Sequence, residues 1–177
     1  MLYVFGFKRL GVVLSDLYFV DPNPGPGQEG PERGVRLEVR WLSQTQPEGS
    51  IYASRPLVVD RPLWRADLLE SVSHPGSLDR AHHHPKMRGW EPGDRQFEPE
   101  LTADPVAWVA KRLADFRAVL ESAGVDGIGD DELEQLRGAE PEITATIRRL
   151  LDRIGQGDLA RPPADSNAKS FVRAGWL

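Results

Sequence analysis

The chain has 177 residues, 40 % of them apolar and 28 % charged, with a formal net charge of −5 at pH 7. That length suits a single domain, and an acidic balance excludes a protein built for nonspecific binding to DNA. Cysteine is absent, which rules out a disulfide framework, a thiol nucleophile and a thiolate metal site.

In chain order, residues 2–7 and 11–20 predict two strands rich in Val, Phe, Tyr and Leu, with Gly11 near the turn between them. The run from Val12 to Val20 is apolar on both faces, as a covered central strand would be. Pro and Gly crowd residues 21–34, which predicts a long exposed connection. Val35, Leu37, Val39 and Trp41 then alternate with Arg36, Glu38 and Arg40. The first set predicts a core face and the second a face toward solvent.

Residues 51–60 predict a further strand, with Pro56 marking a bulge or an edge. Residues 63–70 and 78–84 predict two more, joined by a hairpin loop at 73–76. Six short strands with mostly short links imply one antiparallel sheet. Residues 86–101 read as a loop. Asp104 and Pro105 predict the start of a helix whose stripe is Val106, Val109, Leu113, Phe116 and Leu120, ended by Gly124. A short acidic helix over 130–137 and a third helix over 141–154, opened by Pro141, complete the set. The acidic segment 130–142 reads as a solvated face. The expected fold is α+β: a single antiparallel sheet of about six strands with the C-terminal helices packed on one face. Residues 1–155 form the domain, and 156–177 an irregular tail in which Phe171 and Trp176 are candidates to dock back.

No apolar run approaches the roughly 18 residues that span a bilayer, and no basic stretch leads into one at the N-terminus. A cytoplasmic protein away from membranes is the expectation, and the lack of cysteine suits a reducing compartment. Arginine greatly outnumbers lysine, a bias resembling the product of a GC-rich bacterial genome.

Chemistry concentrates between Arg61 and Arg95, which holds all four histidines, His74, His82, His83 and His84. On a strand, Arg80, His82 and His84 share one face. One reading needs neither metal nor cofactor. In it His82 and His84 act as general acid and base on a phosphodiester of RNA or a nucleotide, Arg80 and Arg65 hold the phosphate, and Asp67 orients an imidazole or an Arg. Trp64 and Trp90 would stack bases. A second reading has the His82-x-His84 pair ligate a metal ion, with Asp67 or Glu70 as third ligand. The register that decides between those carboxylates is not legible in the sequence. A third reading has no catalysis. The histidines are then a solvated strand end, the tryptophans are core, and the chain is a partner-binding module or a homo-oligomer.

The run from Pro62 to Glu70, through Asp79-Arg80-Ala81-His82-His83-His84-Pro85 and Glu98-Pro99-Glu100-Leu101, to Asp104-Pro105 resembles a family of uncharacterised actinobacterial proteins. That resemblance covers roughly residues 50–122 and implies no activity. An Arg-x-Asp followed by His-His-Pro is also similar to the toxins of TumE-type toxin–antitoxin pairs, which implies a protein partner of antitoxin type. Here the spacing between the two elements differs, and the helical C-terminal third has no counterpart in those toxins.

Overall fold

The computed structural model describes residues 1–46, 48–162 and 171–174, the last four by backbone alone. Strands β1 (Leu2–Gly6), β2 (Leu10–Val20), β3 (Pro31–Gln44), β4 (Leu57–Ser71) and β5 (His82–His84) form one antiparallel sheet in sequence order. A small hairpin follows, β6 (Met87–Arg88) with β7 (Glu91–Pro92). Helices α1 (Pro99–Ala103), α2 (Pro105–Ala114), α3 (Phe116–Ala123) and α4 (Asp130–Gly155) come next. Strand β8 (Phe171–Ala174) pairs with β2 over Leu17–Val20, beyond the end of β1. The α+β fold is therefore as the sequence implies. Within the segment 156–177, expected to be irregular, the backbone at Phe171 does dock on the sheet, while Trp176 lies outside the described residues. No helix among the described residues is long and apolar enough to cross a membrane.

Several boundaries differ from expectation, each for a local reason. Residues 51–56 are turn and loop, and the two strands expected over 51–60 and 63–70 are one long strand, β4. Pro62 sits inside it opposite Arg40, where the β3–β4 register shifts. A bulge is where a strand tolerates a residue with no N–H to donate. The strand expected over 78–84 shrinks to His82–His84, because residues 72–80 make turns. The turn is pinned by side chains: Asp79 accepts from Ser71 N at 2.8 Å, and Glu70 accepts from Gly76 N. Gly34 has a steric reason to be glycine, since a Cβ there would collide with the Leu68 carbonyl oxygen on β4.

The helix expected over 105–122 breaks at Asp115, whose backbone is non-helical. The break turns α3 so that Phe116 meets Trp64 of β4 edge-on, with ring centroids 6.1 Å apart. Arg137 donates to the Ala114 carbonyl at 3.1 Å, at the last residue of α2. Asp104 caps α2 as read, accepting from Ala107 N at 2.9 Å. The two helices expected over 130–137 and 141–154 are one, with Pro141 inside α4. Glu132, in the segment expected to be solvated, is buried and accepts from Arg9 N and Leu10 N, which fixes α4 to the β1–β2 turn.

Strand alternation sorts the sheet into two faces. Val12, Leu14, Val35, Leu37, Val39, Trp64, Ala66 and Leu68 point to the helices. They meet Val109, Leu113, Phe116, Ile143 and Ile147 in one buried core. The opposite face carries Arg36, Glu38, Arg65, Asp67, His82 and His84.

Candidate metal centre

Register brings the functional side chains together. Asp67 on β4 lies directly opposite His82 on β5, and Arg65 lies opposite His84. Across the other edge of β4, Arg36 lies opposite Asp67 and Glu38 opposite Arg65. Asp67, His82 and His84 are only 1 %, 1 % and 4 % exposed. Burial of the polar face departs from the expectation that this row meets solvent. The segment after β5 folds over it: Trp90 lies against the Arg40 guanidinium at 5.2 Å, and Phe97 packs on His82 with centroids 5.5 Å apart. Arg95 ties that segment to Asp21 and Glu32, and Arg80 donates to the Gly27 carbonyl.

Asp67 is an ionised carboxylate. Burial is the largest single influence and pushes its pKa up, but Arg36 and the neighbouring His84 and His82 together outweigh this and hold it well below the ordinary carboxylate value. Arg36 grips it with two donors, Nε to Oδ1 at 2.6 Å and Nη2 to Oδ2 at 3.1 Å. Such a fork offsets much of the desolvation that a buried charge pair costs.

The imidazoles are oriented by the backbone. His82 Nδ1 lies 2.8 Å from the Arg80 carbonyl oxygen, and His84 Nδ1 lies 2.8 Å from that of Gly93. A carbonyl only accepts, so Nδ1 carries the proton in both rings. In the neutral state each ring then presents a bare Nε2. Burial pushes the His82 pKa down to about 4, so this ring is neutral at pH 7. The two Nε2 atoms lie 3.5 and 3.6 Å from the same oxygen, Asp67 Oδ2. Those distances are too long for hydrogen bonds. Three acceptors thus converge, one from each side chain, all within 4.8 Å of one another.

Convergent lone pairs repel unless a cation lies between them. Zinc bonds of 2.0–2.1 Å to nitrogen and oxygen imply a ligand–ligand edge of roughly 3.3–3.4 Å in a tetrahedron. The observed N···O separations are close to that edge. Outer partners that fix the tautomer of each histidine and the orientation of the carboxylate are also what metal ligands require. Here they are the carbonyls of Arg80 and Gly93 and the guanidinium of Arg36.

Of the five residues singled out in the sequence, Asp67, His82 and His84 come together. Arg65 is on the same face but engaged with Glu38 at 2.9 Å, and Arg80 reaches the 21–30 loop and Asp79. Glu70 serves the turn and Arg33 instead of the cluster. His83 faces the helices, 2.9 Å from Glu98 and beside the Trp108 ring. Trp64 is core, stacked on Trp108 at 5.9 Å. Sequence reasoning missed Arg36, Glu38 and the Gly93 carbonyl. The β3 alternation marks Arg36 and Glu38 as sharing a face, but nothing in it says that this face is covered. No family model matches the chain, and no curated protein or solved structure shows significant similarity to it.

Proposed function

We propose that this chain is a metal-dependent enzyme whose centre is a divalent first-row transition ion held by Asp67, His82 and His84. One observation carries the reading: two imidazole Nε2 atoms and a carboxylate oxygen face one another, with their outer sides tied to backbone carbonyls and a guanidinium. Two nitrogens and one oxygen suit zinc or iron(II). Three protein ligands leave coordination positions for water and substrate, as catalytic centres do, whereas structural zinc sites close with four. Such an ion supplies an activated water at neutral pH, and hydrolysis is the chemistry we assign to it. Arg36 holds Asp67 ionised and in place. The Arg80 and Gly93 carbonyls hold the rings with Nε2 inward.

The metal-free phosphodiester reading has less support. His82 is held neutral at pH 7 and so is a poor proton donor. Both imidazoles address one carboxylate oxygen, and Arg65 and Arg80 already have partners. The partner-binding reading is favoured by a different observation, the exposed Ile51 and Tyr52 in the 45–56 loop. A chain that elutes as a lone monomer and recovers no protein from its host would count against it.

Elemental analysis tests the metal reading. Protein purified without chelators or a polyhistidine tag should carry close to one equivalent of metal, and chelation should lower its melting temperature. The double change His82→Ala, His84→Ala should bring the content below a tenth of an equivalent with an unchanged far-UV CD spectrum. A wild-type content below a tenth would remove the reading.

A further inference from the structure

Two cross-strand rows lead from the metal ligands toward β1. One runs His82, Asp67, Arg36, Ser15, Leu2, and the other His84, Arg65, Glu38, Val13, Val4. Toward β1 they line a cavity of about 440 Å³. That volume lies within the range of small-molecule pockets. Ser15, Arg36, Glu38 and Arg65 give the cavity a polar part. Leu2, Val4, Val13 and Val59 give it an apolar part, and all of these but Val13 are exposed.

Charge on this face does not cancel. Arg36, Arg40 and Arg65 stand against Glu38 within the lining and Asp67 next to it, three cations to two anions. Asp60 offers Arg40 only its backbone carbonyl. Each guanidinium has five N–H donors, and the bonds of Arg36 to Asp67 and of Arg65 to Glu38 use only part of each set. A ligand that fits must therefore bring one negative charge to the guanidinium end and apolar surface to the other.

We propose that this cavity binds a small monoanion with a short alkyl chain, its charged group on Arg36 and Arg65 and its chain against Leu2, Val4 and Val59. The assignment rests on the metal reading for its link to the centre, since Arg36 lines the cavity and also grips Asp67, while none of the three ligands lines it. Strands about 4.8 Å apart put the Arg36 position one strand from Asp67 and two from His82, so the charged end lies within roughly 10 Å of the ligands.

Calorimetric titration of the full chain at pH 7 tests it, using octanoate and octanesulfonate, both monoanions, as probes and octanol and octylammonium as controls. Zinc-loaded and chelator-treated samples are compared, with metal content measured on each. The expected result is one site per chain for at least one anion, and at least tenfold weaker binding of both controls. Zinc should tighten the anion at least threefold, because a divalent charge adds attraction. Val4→Glu and Val59→Glu, both at exposed positions, should each weaken the anion at least tenfold while metal content and CD spectrum stay at wild-type values. Octanol binding as tightly as octanoate, or both variants binding like wild type, would overturn the pocket. A zinc-loaded chain that takes up neither anion overturns the pocket and leaves the metal centre standing. Anion binding by a chain that takes up no zinc even when zinc is supplied overturns the centre and leaves the pocket standing without its link to a metal.

Discussion

The two faces of the sheet are made by the same strands and differ by one residue of register. On β4, Trp64, Ala66 and Leu68 meet the helices, while Arg65 and Asp67 between them carry the charged face. Both faces are buried around β4, yet by opposite means. The helix face excludes water with apolar volume, which needs no partner of defined direction. The charged face must satisfy each group by a directed contact, because a buried charge without one is expensive. Loss of volume should therefore damage one face and loss of a partner the other, and only the second should cost metal.

The largest effect belongs to the helix face. Phe116 is buried against Trp64, so Phe116→Ala should cost about 4 kcal/mol through lost transfer energy and the cavity left behind. A denaturant melt reads this directly. At temperatures where the variant is folded, its metal content should stay near one equivalent. A cost below about 1 kcal/mol would mean that α3 does not close the core.

Asp67→Ala is the counterpart on the charged face. It removes little volume but leaves the Arg36 guanidinium without its carboxylate partner. We expect a cost of about 3 kcal/mol, near the low end for breaking a buried pair because Arg36 keeps some contact with solvent. Metal content should fall below a tenth of an equivalent. A melt like that of wild type would show that the Arg36–Asp67 fork does not hold the strands together.

Acid should separate the faces without any mutation. In the metal-free protein the folded pKa of His82 is about 4 against an ordinary 6.5. Between those values the unfolded chain binds a proton that the folded chain refuses. The stability from this group is thus complete above about pH 6.5 and is lost as the pH falls toward 4. The gap corresponds to at most about 3 kcal/mol, at 1.36 kcal/mol per unit. Urea melts of chelator-treated protein at pH 7 and pH 4.5 should show the loss, and His82→Gln should lose less over the same interval. Equal losses in the two proteins would assign the acid sensitivity to other groups.

The same contrast explains what the sequence made legible. The helix face was readable because burial leaves a periodic trace: Val35, Leu37 and Val39 alternate, and Val106, Val109 and Leu113 recur at helical steps. The charged face leaves the trace of a solvated row, since Arg36, Glu38 and Arg40 are what an exposed strand face would also carry. What covers them is a segment some fifty residues later, held by Arg95 and Trp90, and no local pattern announces it. The pairing of Asp67 with His82 was out of reach for a related reason. It depends on the turns at residues 72–80 that join β4 to β5, and one residue more or less would have presented Ala66 or Leu68 instead. Pro141 misled in another way. A proline that suits the start of a helix here sits within one, because the flanking turns pack Leu133, Leu136, Ile143 and Ile147 into the same core.

The smallest effect tests whether metal loss reports the site or merely a weakened fold. Asp104 lies on neither face of the sheet. It caps α2 by accepting from Ala107 N, and its loss leaves that donor without its side-chain partner. Asp104→Ala should cost about 1 kcal/mol, the usual value for an N-cap. The site is held by β4, β5 and the covering segment, none of which includes Asp104, so metal content should not change. If Asp104→Ala released metal in proportion to its lost stability, the release from Asp67→Ala would lose its meaning as a ligand effect. If it keeps a full equivalent, a direct role for the Asp67 carboxylate is the explanation that survives.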